Sequence, residues 1–357
     1  QGIAHFIEHK LFEQEWGDAF GAFVENGASA NAFTDFQKTA YYFSCMEKFE
    51  ENLALLLRFV QNPYFTKEGT ESEKKIISSE ITMYDDEPSW SAYFNLLKAL
   101  YHNHPIKNPI AGSVETIQGI QKGDLLECYE AFYTPENMVL ICAGDVNPQE
   151  ILEQSGRNTK KQTKTRAVTV YDEEPNAIVR PYIEKNMGIT TPMFQIGFKE
   201  APHEKMGLEK ETAMELALDL LAGESSDFLY SSYEKDILED SIGFQYLWGE
   251  GFAFSAFSGT ASQPKEVAEL LLEHIKRIRQ EGVATNDFER IKKKHIGQMV
   301  RGSNSVNALC ISQLDLGLKD SNLHEKFHVL KKTKKEDVER IFQDCLKEQQ
   351  MAVSVVK

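Results

Sequence analysis

The segment His5-Phe6-Ile7-Glu8-His9 holds the side chains of this sequence best suited to chemistry. On a helix, positions i and i+4 share a face, so the imidazoles of His5 and His9 can reach one ion. Glu8, three residues after His5, lies on the same side. Two imidazoles are good zinc ligands, and a carboxylate beside them can take a proton from a zinc-bound water. The order H-x-x-E-H is the inversion of H-E-x-x-H.

A second group of interest lies on a long helix expected from about Lys67 to Asp85, capped by Thr66 and closed before Glu87-Pro88. Glu73, Ile76, Ile77 and Glu80 stand at i, i+3, i+4 and i+7, a single stripe. Carboxylates buried on an isoleucine face cost several kcal/mol unless partnered. A zinc ion, with a hydrogen bond to one of its imidazoles, would supply that partner. The alternative is that both glutamates are solvated and the apolar stripe runs to one side. Glu87, beside Pro88 at the helix end, is a competing third carboxylate. His102, His104, His203, His274, His295, His324 and His328 have no ligand spacing to the motif and read as surface or core residues. Lys292 to His295 reads as a solvated helix face. No dinucleotide, Walker or G-x-S-x-G element is present.

Several elements must position these groups. Residues 3–14 read as a helix, and 28–44, rich in Thr, Phe and Tyr, as extended chain. Helices follow at about 46–60, 90–101 and 124–132, and Asn137 to Ala143 reads as a buried strand. The polar, basic run from Gly156 to Arg166 reads as solvated linker. Strands are expected at 192–198, 242–259 and 351–356, with helices at 211–222, 265–280, 286–302, 306–318 and 335–347. Each half ends in helix, short turn and strand. The pattern predicts an α+β fold of two similar domains: 1–155 with the zinc motif, 156–180 as linker, and a metal-free 181–357.

The 357 residues are enough for two cores, and 41% of them are hydrophobic, which excludes disorder. A formal net charge of -16 makes nucleic acid and anionic membrane poor partners. Five cysteines, an odd number with no C-x-x-C pair, argue against a disulfide framework or thiolate zinc site and point to a reducing, cytoplasmic setting. No apolar run approaches the roughly 18–20 residues of a membrane span.

The segment Gly2-Ile3-Ala4-His5-Phe6-Ile7-Glu8-His9 resembles the signature of the pitrilysin/insulinase family of inverted-motif zinc peptidases. In that family the third ligand is a glutamate some seventy to eighty residues after the second histidine, with another glutamate seven residues before it. Glu80 follows His9 by 71 residues (80 − 9), and Glu73 precedes Glu80 by seven. Gly27-Ala28-Ser29-Ala30-Asn31-Ala32-Phe33-Thr34 is similar to the edge strand on which family members lay substrate. His104-Pro105 through Gly112 and Tyr133-Thr134-Pro135-Glu136-Asn137 are similar to family landmarks. The likeness is strong over 1–145 and looser over 185–357, and a small two-domain bacterial processing peptidase fits best. It implies a pitrilysin-like architecture of mostly antiparallel sheets packed with helices. It implies zinc on His5, His9 and Glu80, Glu8 as general base, and Glu73 fixing a ligand histidine. It also implies an unfolded peptide substrate paired along Ala30, Asn31, Ala32 and Phe33. One departure is that family members carry a strand pair before the zinc helix, where this sequence has only Gln1 to Ala4 before His5.

The resemblance also implies a partner. Family assemblies offer an arginine and, seven residues later, a tyrosine from a second domain. At the corresponding places this chain has Tyr233 and Asp240, which cannot provide a cationic fork or stabilise an oxyanion. A dimer with a related subunit carrying the Arg/Tyr pair is therefore expected. Competing functions are a non-catalytic scaffold subunit, which would have no need of the intact His5, Glu8, His9 and Glu80 set, and a zinc hydrolase for a non-peptide substrate, which would show a deep small pocket.

Overall fold

A computed structural model describes residues 1–159, 169–201, 206–238 and 240–357. Most of the basic linker run, and His203, lie outside those residues. The chain forms two compact units. The first comprises 1–83, 109–170 and 306–318; the second comprises 84–108, 171–305 and 319–357. Both units thus draw on segments distant in sequence.

The first unit is built around the helix Ile3–Leu11, which turns its Phe6, Ile7 and Leu11 into a core with Phe23, Phe59, Ile77, Ile117 and Leu125. The helix starts at Gly2, in the left-handed conformation with φ 78°. A Cβ there would stand 2.4 Å from the Ala111 carbonyl oxygen, so only glycine fits this entry. The helix is shorter than the expected 3–14: Glu13–Gln14 leaves it to pair with Gly17–Asp18 in a small hairpin. Strands Ala28–Thr34 and Thr39–Cys45 form an antiparallel pair, with Ala28 opposite Cys45 and Thr34 opposite Thr39. Ala30, Ala32, Tyr41 and Phe43 turn toward the core, while Ser29 and Asn31 are exposed, the period-two pattern of a one-sided sheet. The Asp35 carboxylate closes the turn by accepting from the amides of Gln37 and Lys38, at 2.8 and 2.9 Å.

The stretch Asn137–Ala143 does not form the expected strand. Met138 has extended backbone angles, but no ladder partner lies beside this segment among the described residues, and Met138, Val139 and Leu140 are exposed. A strand is stabilised by its neighbours' hydrogen bonds, and apolar composition alone does not supply them. The first residues of the expected linker, 156–158, are helical, as the end of Pro148–Asn158.

The second unit holds a five-stranded sheet in the order Tyr182–Lys185, Met351–Val356, Met193–Lys199, Phe252–Thr260, Gly243–Gly249. The first pair is parallel and the others antiparallel. Phe194, Ile196, Phe198, Phe257, Val353 and Val355 on one face pack with the helices Leu208–Ala222 and Pro264–Glu281. The opposite face carries the helix Pro88–Leu100. Gly197 permits its close approach, since a Cβ there would lie 2.8 Å from a Leu96 methyl. Among the described residues no helix is long and apolar enough to cross a membrane.

Candidate metal centre

His5 and His9 lie on the Ile3–Leu11 helix one turn apart, beside the buried stripe of Phe6, Ile7, Lys10 and Leu11. Their ring centroids are 4.5 Å apart. The facing side chains come from the helix Lys67–Asp85, whose buried stripe is Thr70, Lys74, Ile77 and Ile81. This corrects the phase expected from sequence. Ile76 is 55% exposed, and the two glutamates border the buried stripe on the side of Ile77. Glu73 and Glu80, two turns apart, stay on a common line along the helix. Their side chains are 14% and 21% exposed.

The three expected ligands converge. Nε2 of His5 is 3.7 Å from Glu80 Oε1, and Nε2 of His9 is 3.6 Å from Glu80 Oε2. Ligand atoms about 2.0–2.1 Å from a tetrahedral zinc lie roughly 3.4 Å from one another. The observed separations are too long for hydrogen bonds and close to the edge of such a tetrahedron. His5, His9 and Glu80 are the sole group of this kind among the described residues. Glu73 lies behind His9, its Oε1 3.0 Å from Nδ1. A proton on Nδ1 donated to Glu73 leaves the Nε2 lone pair directed at the other two ligands, the arrangement that fixes a metal-binding tautomer. Two imidazole nitrogens and a carboxylate are a zinc donor set, and the residues fit that ion.

The electrostatics differ along the helix. Burial, reinforced by the neighbouring His9, lowers the pKa of His5 despite the pull of Glu80 and Glu73, which favours the neutral, ligating imidazole. Burial acts in the same direction on His9, but its hydrogen bond to Glu73 and the charges of Glu73, Glu80 and Glu8 outweigh it and raise the pKa. Glu8 is pushed up by burial, more than Thr34 and His9 pull it down. Thr34 Oγ1 donates to Glu8 Oε2 at 2.6 Å. That bond was not foreseen, although Thr34 lies within the strand signature, because a threonine at a strand end carries no mark of what it faces.

The remaining expected residues are placed as follows. Ala30, Asn31, Ala32 and Phe33 lie on Ala28–Thr34, which pairs with a strand on one side and has none on the other among the described residues. Glu87 precedes the helix Pro88–Leu100, where its Oε1 accepts from Ser89 Oγ at 3.0 Å, and takes no part in the cluster. His102, His104, His274, His295, His324 and His328 also belong to no metal-binding group. Tyr233 is on the helix Asp227–Glu234 and Asp240 is exposed.

Residues 1–114 match the family model for insulinase (peptidase family M16), and residues 119–294 match that for the peptidase M16 inactive domain. A Bacillus subtilis protein described as an uncharacterized zinc protease, YmfH, is 38% identical over 99% of this chain and 84% of its own length. A crystal structure of an M16-like chain from Alicyclobacillus acidocaldarius superposes with a TM-score of 0.94 at 35% identity, covering 100% of this chain and 86% of that one. A protease from Helicobacter pylori shares the fold at 19% identity, with a TM-score of 0.88 over 100% of this chain and 90% of its own.

Proposed function

The chain belongs to the insulinase family of peptidases, family M16, and on that premise we propose that it is a zinc-dependent endopeptidase acting on unfolded peptides. The observation that carries the reading is the convergence of His5, His9 and Glu80 with Glu8 on the same helix. His5 Nε2, His9 Nε2 and a Glu80 oxygen would hold the metal, and Glu73 would keep the His9 ring in its ligating tautomer. When bound, zinc supplies Lewis-acid polarisation of the scissile carbonyl and a water of lowered pKa.

Glu8 takes the proton of the attacking water and passes it to the departing amine. The free edge of Ala28–Thr34 would take the substrate backbone as an added strand, so affinity would depend on main-chain hydrogen bonds more than on peptide sequence. Tyr233 supplies no cationic fork, and Asp240 would repel a developing oxyanion. The active form would therefore be a dimer with a related subunit bringing an Arg/Tyr pair. The competing scaffold reading predicts no stoichiometric zinc.

The deciding experiment measures zinc content and cleavage of an internally quenched peptide, with and without such a subunit. Chelator-sensitive cleavage that Glu8→Gln abolishes while retaining zinc supports the reading. A zinc-loaded protein that cleaves nothing in either state refutes it. Full activity of the isolated chain, unchanged by the subunit, removes the dimer from it.

A further inference from the structure

Glu8 stands at the end of a line of hydroxyl groups. Thr34 Oγ1 donates to its Oε2 at 2.6 Å, and Thr39 Oγ1 is 3.2 Å from Thr34 Oγ1. The two threonines are directly opposite at the closed end of the strand pair.

The polarity of this line follows from counting protons. A hydroxyl has one proton to give, and an ionised carboxylate can only accept. Thr34 gives its proton to Glu8, so it must accept from Thr39. Both hydroxyls point toward Glu8. Bonds aligned head to tail strengthen one another, and turning the Thr34 hydroxyl toward Thr39 breaks the bond to the carboxylate.

We propose that Thr39 and Thr34 form a one-way hydrogen-bond line that positions Glu8, holding Oε2 as a permanent acceptor so that Oε1 alone takes the proton of the attacking water. The proposal rests on the peptidase reading of Glu8. The water oxygen bonds to the scissile carbon as its proton moves to Oε1, and the proton then goes to the amine nitrogen as the C–N bond breaks. The two threonines touch no reacting atom; they are positioning residues.

The test compares Thr34→Val, Thr34→Ser and Thr39→Val in the zinc-loaded full chain, with its partner subunit if activity requires one. Each is read for kcat, KM, zinc content and the Glu8 side-chain position in a crystal structure. Loss of the donor in Thr34→Val is expected to lower kcat roughly ten- to hundredfold, the range of an ångström-scale misplacement, with KM and zinc content unchanged. Thr34→Ser, which restores a hydroxyl, is expected to recover kcat to within about threefold. Thr39→Val, which leaves Thr34 without its donor, is expected to lower kcat by a smaller factor with KM unchanged. An unchanged kcat in Thr34→Val or Thr39→Val overturns the proposal. So does a serine variant as poor as the valine one, since that would assign the role to the threonine methyl. If Thr34→Val does not fold, Thr39→Val carries the test. If the wild-type chain cleaves no peptide, the peptidase reading falls, and the crystal structures still decide the line: an unmoved Glu8 carboxylate overturns it and a displaced one supports it.

Discussion

Two carboxylate clusters in this protein, one in each unit, are built to opposite ends. In the second unit Glu174 has no unused bonding capacity. Its Oε1 accepts from the amide of His102 at 2.9 Å and from Lys199 Nζ at 2.6 Å, and its Oε2 from the amides of Asn103 and His104 at 2.7 and 2.8 Å. Lys199 spends its other two protons on the carbonyls of Pro175 and Ala177. Burial would raise the pKa of Glu174, but Lys199 and the three amides outweigh it and hold it down to about 2. In the first unit His5, His9 and Glu80 face one another at 3.6–3.7 Å, too far for hydrogen bonds, and Nδ1 of His5 is buried with no hydrogen-bond partner among the described residues. Saturated polar clusters in low dielectric specify structure, and unsaturated ones await a ligand.

The largest expected effect breaks the unsaturated cluster. Glu80→Gln removes the anionic ligand while keeping the shape. It should abolish stoichiometric zinc, measured by metal analysis after dialysis, and lower peptidase activity by at least about a thousandfold. The folded state should persist, because Glu80 borders the core stripe without belonging to it. Retention of zinc at wild-type affinity would show that the metal ligands lie elsewhere.

The saturated cluster should respond in the opposite sense. Glu174→Ala leaves Lys199 buried with its charge uncompensated and three amides without an acceptor, at a cost of about 3–5 kcal/mol in denaturant unfolding. Zinc content should not change. The pH dependence has a defined sign. Glu174 has a folded pKa depressed to about 2 from an ordinary value of 4.5, so its contribution is fully present above that ordinary value. It is lost as pH falls from about 4.5 toward 2, where the folded carboxylate takes up its proton. An acid unfolding midpoint that Glu174→Gln leaves unmoved would refute this linkage.

These two clusters were not equally legible in the sequence. The metal cluster was, because both its helices carry their chemistry at helical spacing: His5, Glu8 and His9 within one turn, Glu73 and Glu80 two turns apart. Even there the phase of the second helix was misread. Ile76 and Ile77 are both apolar, and the pattern alone did not show that Lys74, paired with Glu71 at 2.7 Å, would be buried and Ile76 exposed. Glu174 reads as one more acid in a Pro-punctuated stretch, since its partners at 102–104 and 199 are fixed by tertiary contacts. Thr34 and Thr39 were hidden for the same reason. The apolar run 138–143 was overread, because a strand depends on a neighbour that the run itself does not contain.

The smallest of these effects concerns Glu73, which shares features of both clusters: it is paired, yet beside a metal position. Its Oε1 lies 3.0 Å from Nδ1 of His9, and that bond decides which nitrogen faces Glu80. Glu73→Gln keeps an oxygen that can accept from Nδ1, so the His9 tautomer should survive. What is lost is the negative charge, which raises the basicity of the imidazole and hence its strength as a ligand. Zinc affinity, measured by competition with a chromophoric chelator, should therefore weaken by roughly tenfold to a hundredfold without being abolished. Glu73→Ala removes the acceptor as well and should fall below the glutamine variant, since the ring is then free to rotate. If the two variants weaken zinc equally, orientation carries none of the effect and charge all of it. If neither weakens zinc, Glu73 belongs with the structural carboxylates of the second unit, despite its place beside a ligand histidine.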